Sequence, residues 1–383
     1  MMSSDREFTR VNDGRTSVNT LARRIIAGIM ALLLCLGAGC VYAFADDGGV
    51  KPEIDPAERY TSEGYRYYSS LSKLYSQKGI KKDKSVYSLL KKHASSKRSR
   101  AIPGLERALS VTPEEELLLK DMVPQGICRF GKLYLITAYS ADRSNKSVMY
   151  VMDSKWKLVT TVTLPHSYHY GGIAYDSGGD VIWLTGYTPS IFVQSGDWSV
   201  SCITGDELRA VIEEGRAGGK AAYLPAFTED KIKVGNRPSC LDYSNGRLWV
   251  GSFSDIKSCR IVGYRTSGTE LSADGAITIT GLDSKLNGFV WDGRQNLYLS
   301  YSYGRNSVST AHITRVRFKK PVTSSVDVRK QKRKKVKTPK MNEEMFIQDG
   351  YLYIIFESAS VKYKGSYNKV DRVLAINKKA WSM

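Results

Sequence analysis

The chain has 383 residues, is 42% hydrophobic and carries 57 Lys and Arg against 38 Asp and Glu, for a formal net charge of +19. That composition is ample for a large core in one or two domains, and the charge favours anionic partners. No Ser-His-Asp order, HExxH, Walker loop, paired-Cys motif or metal-ligand spacing occurs, and no basic patch is interleaved with base-stacking aromatics, which disfavours nucleic acid.

Residues 1–24 are polar and end in Arg23-Arg24, residues 25–45 carry no charge, and Ala43-Phe44-Ala45 precede Asp46-Asp47. A basic segment, an apolar run and an A-x-A site read as a secretory signal peptide. The run is also long enough to serve as an uncleaved anchor. Leu36-Gly37-Ala38-Gly39-Cys40 is a degenerate lipobox, with Gly37 where a large aliphatic residue belongs. The expectation is a secreted or membrane-anchored extracellular protein. Residues 1–45 hold five Arg and three acids, so a chain starting at Asp46 carries +17. That puts anionic envelope polymers and lipid headgroups first among partners.

Residues 46–100 form a separate Lys/Ser-rich segment. Asp55 and Pro56 suit the start of a helix, and Tyr60, Tyr67, Tyr68, Leu71, Leu74 and Tyr75 recur at helical spacing, as if to pack on the outside of the folded body. From 81 to 100 a short helix around 86–90 and then a mobile linker are expected. The folded body is expected to span 101–383.

Within that body the stretch 124–136, PQGICRFGKLYLI, recurs at 170–184, 237–250, 286–299 and 342–354. Each copy runs from a small residue through apolar ones and a Gly or Asp turn into an aromatic-rich run. Aligning Gly126, Gly172, Ser239, Gly288 and Glu344 gives offsets of 46, 67, 49 and 56 residues. Units of about 40–55 residues with hairpin chemistry point to an all-β, five-bladed β-propeller. Six blades remain an alternative, because the gap at 187–236 could hold a degenerate one.

The blades are expected to place four strands each, at 126–130, 132–138, 147–153 and 157–164 in blade one, and at 172–175, 181–186, 191–194 and 200–203 in blade two. An amphipathic helix near 206–215 explains the long offset. Blade three takes 240–243, 247–252, 260–264 and 276–280. Blade four takes 288–291, 297–301 and 313–318, with 326–328 as a weak outer strand. The run RKQKRKKVK at 329–337 has seven basic residues in nine and no hydrophobic period, which predicts a protruding solvated loop. Lys330, Lys332, Arg333, Lys334 and Lys335 are its candidates for anionic-surface binding. Blade five has only three strands, at 345–348, 352–357 and 372–376, and the segment 117–122 is the expected donor of its fourth. Of Cys128, Cys202, Cys240 and Cys259, two bridges by any of three pairings are open. Cys128 and Cys240 also fit as free thiols at equivalent inner-strand positions.

Val-Pro-Gln-Gly (123–126), His-x-Gly-Gly-Ile-Ala (169–174), Leu-Trp-Val-Gly-x-Phe (248–253), Ser-Tyr-Gly-Arg (302–305) and Phe-Glu-Ser-Ala (356–359) resemble the ordered signatures of exported Gram-positive propeller proteins of no assigned activity. The resemblance covers about 101–378. Part of the pattern is also similar to glutaminyl cyclase-type five-bladed propellers, whose blade starts line a central site. Gln125-Gly126-Ile127 and Leu286-Asn287-Gly288-Phe289 fit, Arg237-Pro238-Ser239-Cys240 lacks the acidic partner, and Ser300-Tyr301-Ser302-Tyr303 stands where Gly-Lys-x-Trp belongs.

Inner-strand starts of a propeller share one channel, so Gln125, His169, Arg237, Asn287 and Glu343 are candidate ligand residues. His169 stands beside a Gly-Gly pair and could face Glu343 across the axis. Arg305 and Glu357 follow corresponding second strands, where Arg305 could pair with Glu357 or clamp a ligand carboxylate. His166 and His312 lack such context, and most of the aspartates suit hairpin turns. The reading is a monomeric envelope binding protein for a small ligand or peptide, with no cofactor and no metal. The alternatives are an acyl-transfer or hydrolytic enzyme using Glu343 with His169 as its partner, and a structural wall protein that uses only its outer surfaces.

Overall fold

Each of the five sequence copies folds as the inner hairpin of its own antiparallel sheet. The computed structural model describes residues 68–102, 108–186, 198–218, 221–306 and 309–383. Residues 1–67, and with them the signal or anchor segment, Tyr60, Tyr67 and the helix start at Asp55, lie outside the described residues, as does the 191–194 strand.

Blade one is β4 (Met122–Phe130), β5 (Leu133–Ser140), β6 (Val148–Met152) and β7 (Leu158–Thr163). Blade two is β8 (Ile173–Asp176), β9 (Val181–Gly186), β10 (Ser199–Thr204) and β12 (Glu229–Lys233). Blade three is β13 (Pro238–Ser244), β14 (Arg247–Ser252), β15 (Ile261–Ser267) and β16 (Glu270–Thr280). Blade four is β17 (Leu286–Asp292), β18 (Asn296–Ser302), β19 (Ala311–Arg317) and β21 (Lys332–Lys337). Blade five is β22 (Asn342–Gln348), β23 (Tyr351–Phe356), β24 (Arg372–Asn377) and β1 (Arg100–Ala101).

The innermost strands close a ring, β4 packing on β8, β8 on β13, β13 on β17, β17 on β22 and β22 back on β4. Five apolar clusters fill the five gaps between successive blades. Trp183 and Val250, for example, meet between blades two and three, and Tyr150 and Ile355 between blades one and five. Burying apolar faces on both sides of every sheet explains why the inner strands read as nearly continuous apolar runs. The ring also explains the small residues of the repeat. A Cβ on Gly172 would sit 2.5 Å from the Leu241 backbone nitrogen, and one on Gly288 would sit 2.5 Å from the Glu343 carbonyl.

Several expectations are corrected. The fourth strand of blade five is β1, pairing Arg100 with Val373 and Ala101 with Arg372. Residues 117–122 instead fall partly in β3 (Glu116–Leu119), which makes a two-stranded hairpin with β2 (Ala108–Val111). The segment 81–100 is ordered, because α1 (Leu71–Tyr75), α2 (Lys78–Lys82) and α3 (Lys84–His93) pack Leu74, Ile80 and Leu90 against blades four and five. Residues 199–204 are the third strand of blade two, not the fourth. The chain first makes α4 (Gly205–Ala217), capped by Thr204 and Glu207, and lays β11 (Ala222–Tyr223) parallel along β7 before returning as β12. The described part of 187–236 therefore holds no sixth blade.

The basic run is not a loop. Residues 332–337 form the outer strand of blade four, with Lys332 opposite Arg317 and Lys337 opposite His312. Side chains this polar suit an outermost strand, where charge blunts an open edge. The strand expected at 326–328 is instead β20 (Val326–Asp327), parallel to β16 of blade three. All four cysteines are free and buried, so none of the three pairings forms. Among the described residues no helix is long and apolar enough to cross a membrane.

Candidate functional site

In four of the five inner hairpins the register shifts at the same point of the repeat, between Pro124 and Ile127, Pro238 and Cys240, Leu286 and Gly288, and Asn342 and Met345. A bulge inserts an unpaired residue and re-aims its side chain. Here the residues at the bulges are Gln125, Ser239, Asn287 and Glu343, and all four line one cavity of about 620 Å³ at the channel mouth. His169, Arg237, Arg305 and Glu357 line it too, so every channel residue singled out from the sequence contributes to a single space.

Hydrogen bonds knit the floor of this space across blades. Gln125 donates through Nε2 to Glu357 Oε2 at 3.0 Å, joining blades one and five. Asn287 donates through Nδ2 to Glu343 Oε1 at 3.1 Å, joining blades four and five. Thr137 Oγ1 accepts from the Gly126 N–H and donates to the Tyr170 carbonyl, joining blades one and two. Glu344, fully buried, accepts from the backbone N–H groups of Leu241 at 3.0 Å and Phe289 at 3.1 Å, tying blades three and four to five. A glutamate occupies the small-residue position in this one blade because its carboxylate bridges two neighbouring inner strands.

Burial pushes Glu343 well above the ordinary carboxyl range, and the nearby Glu357 and Glu344 add to the push. Burial raises Glu357 to about 7, against the Gln125 hydrogen bond and Lys362, which lower it. His169 is pushed down to about 3 by burial and then by Arg143, Lys362 and Arg237. Its ring packs against Tyr139, centroids 4.5 Å apart, and no hydrogen bond or ion pair joins it to Glu343. The expected His169–Glu343 pair therefore becomes a Glu343–Glu357 carboxyl pair. The expected Arg305–Glu357 pair is likewise replaced by Gln125–Glu357, and among the described residues nothing holds the Arg305 side chain.

Arg143, Lys362, Tyr139, Phe253, Tyr303 and Tyr363 also line the cavity, and sequence reasoning missed them. Lys362 Nζ donates to the Tyr139 hydroxyl at 2.9 Å. Arg143, Phe253, Arg305 and Lys362 all lie in segments that follow the second strand of their blade. That position was the available signal, already used for Arg305 and Glu357. The basic residues of β21 stand apart from the cavity. Lys332, Arg333 and Lys335 are exposed, Lys330 is exposed in the preceding turn, and Lys334 donates to the Ser382 carbonyl at 2.7 Å. Among the described residues no group of three or more His, Cys, Asp or Glu could hold a metal ion.

No protein-family model matches the sequence, and no curated protein matches it. Among solved structures, the chain is similar to the glutaminyl cyclase of Myxococcus xanthus at 10% identity and a TM-score of 0.39, over 67% of this chain and 90% of that one. A β-xylosidase/α-arabinofuranosidase from a compost microbial metagenome gives 9% identity and 0.41, over 73% and 94%. The β-propeller domain of the Trilobed protease from Pyrococcus furiosus gives 11% and 0.31, over 67% and 69%. These are similarities of fold alone.

Proposed function

We propose that the chain is an exported, monomeric binding propeller of the cell envelope, whose channel mouth takes a small ligand bearing a carboxylate or similar anionic group. The observation that carries this reading is the charge of the cavity. Arg143, Arg237, Arg305 and Lys362 line it, while Glu343 is held neutral beneath them. An Arg305 guanidinium with no partner among the described residues is a ready fork for a carboxylate. Protonated Glu343, with Gln125 and Asn287, supplies hydrogen bonds to the ligand's polar neutral part, and Phe253 and Tyr303 supply apolar faces. The test is a thermal-shift and calorimetric screen of small carboxylates, each paired with its amide, against the parent and Arg305→Gln. Acids that bind the parent about tenfold tighter than the variant, with amides that do not discriminate, support the reading. No acid preferring the parent overturns it.

A second reading is favoured by the carboxyl pair itself. A neutral Glu343 beside a Glu357 poised at about 7 forms an acid and base suited to acyl transfer or hydrolysis. Glu343→Gln should then abolish turnover while leaving ligand affinity and folding intact, and undiminished turnover removes Glu343 from the chemistry. The exposed cations of β21 would add attachment to anionic polymer or lipid headgroups, about 1 kcal/mol per charge near such a surface. Replacing Lys330, Lys332, Arg333, Lys334 and Lys335 by Gln should flatten the salt dependence of vesicle binding.

A further inference from the structure

A second cleft, of about 590 Å³, lies where α2 and α3 meet the ends of blades four and five. Lys82, Lys84, Lys337 and Lys340 line it, with Asp83 as their one acidic neighbour there. Asp83 is already engaged. Its Oδ1 accepts from the Ser85 and Val86 N–H groups at the start of α3, and its Oδ2 stands 3.7 Å from Lys337 Nζ. Lys340 is partly withdrawn from water, its ammonium 5.0 Å from the centre of the Tyr367 ring and donating to the Asn306 carbonyl. Burial lowers its proton affinity, though Asp83 opposes this. Thr338, only 2% exposed, lines the same cleft, and its hydroxyl has no hydrogen-bond partner.

Two costs therefore coincide at one place. Four ammonium groups converge with one shared carboxylate, and a buried hydroxyl goes unpaired, as folded proteins seldom allow. A tetrahedral oxyanion relieves both at once, because its several oxygens accept from lysines and hydroxyl together. We infer that this cleft binds a phosphate-type anion, the phosphoryl group of a soluble compound or of an envelope lipid headgroup. The inference is independent of the channel reading, since none of these residues lines the channel cavity.

The soluble probe is inorganic pyrophosphate, titrated calorimetrically. The surface probe is a phosphatidylglycerol vesicle, compared with phosphatidylcholine. Lys337→Gln with Lys340→Gln should weaken pyrophosphate binding at least about tenfold. The same loss of charge on the outer strand, Lys332→Gln with Arg333→Gln, should leave it unchanged, as should Arg305→Gln in the channel. Thr338→Val separates binding from folding, because removing an unpaired buried hydroxyl should keep or raise the melting temperature while weakening pyrophosphate severalfold. Vesicle binding with the same variant pattern assigns the headgroup as the source, and pyrophosphate binding alone assigns a soluble compound. Equal weakening by the outer-strand pair indicates diffuse charge and overturns the inference. So does loss in Arg305→Gln, an unchanged affinity in Thr338→Val, or no binding of either probe.

Discussion

Replacing Glu357 by Gln should change how stability depends on pH, and by an amount that follows from its surroundings. In the folded protein burial lifts this carboxyl from 4.5 to about 7. Below about pH 4.5 it is protonated in both states and contributes no difference. Between 4.5 and 7 the unfolded chain releases the proton while the folded one keeps it, so unfolding is favoured as pH rises. Above about 7 both states are ionised and the loss is complete. At about 1.4 kcal/mol for each factor of ten in proton affinity, the folded state loses on the order of 3 kcal/mol across this window. The replacement amide keeps an oxygen to accept from Gln125 but has nothing to titrate. Urea unfolding at half-unit steps from pH 4.5 to 8 should therefore show a steeper decline in the parent than in Glu357→Gln. A residual decline remains in the variant, because burial also raises Glu343 and lifts Asp242 to about 7. Parallel curves for the two proteins would refute the assignment of a neutral, buried Glu357.

Glu344→Gln should cost about 1–3 kcal/mol in urea unfolding, because an amide nitrogen cannot accept one of the two inner-strand N–H groups that the carboxylate now holds. Gly172→Ala should cost a similar amount, since its new methyl meets backbone of the next blade at 2.5 Å and not a side chain that can move aside. Deleting residues up to Ala101 should uncover the β24 edge and the apolar cluster under α1–α3, giving a broadened unfolding transition and self-association by light scattering. Alkylation of the denatured, unreduced protein should label all four of Cys128, Cys202, Cys240 and Cys259.

What the sequence made legible was the part written in local pattern. The five hairpins were readable because each carries the same order of small residue, apolar run and turn, and the channel residues were readable because they occupy one column of that order. The outer strands were not. Val200 and Cys202 belong to a third strand, and the fourth arrives only after α4 and a parallel excursion to blade one, a path with no local signature. The basic strand misled for a related reason. Its apolar neighbour lies on one side only, so Lys332–Lys337 shows no burial period, and backbone pairing with β19 alone makes it a strand. Closure by Arg100–Ala101 was hidden in the same way, by a pairing of two residues with a partner more than 270 positions away.

The site and the fold share one device. An unbulged inner strand would alternate its side chains strictly between the two neighbouring blades, and no residue would be left over for the axis. The extra residue at each bulge supplies that third direction, so the step that frees Gln125, Asn287 and Glu343 to meet in the channel also brings Gly288 against the next strand. Polar contacts then replace the apolar packing that cannot reach the axis, with Thr137, Glu344, Asn287 and Gln125 each bonding across to another blade. Two of these four, Asn287 and Gln125, reach the carboxyls that the cavity offers to a ligand. A change in the protonation of Glu343 or Glu357 is therefore felt at the blade-four and blade-one junctions as well as by whatever occupies the channel. That is why the pH dependence of stability reports on the site itself.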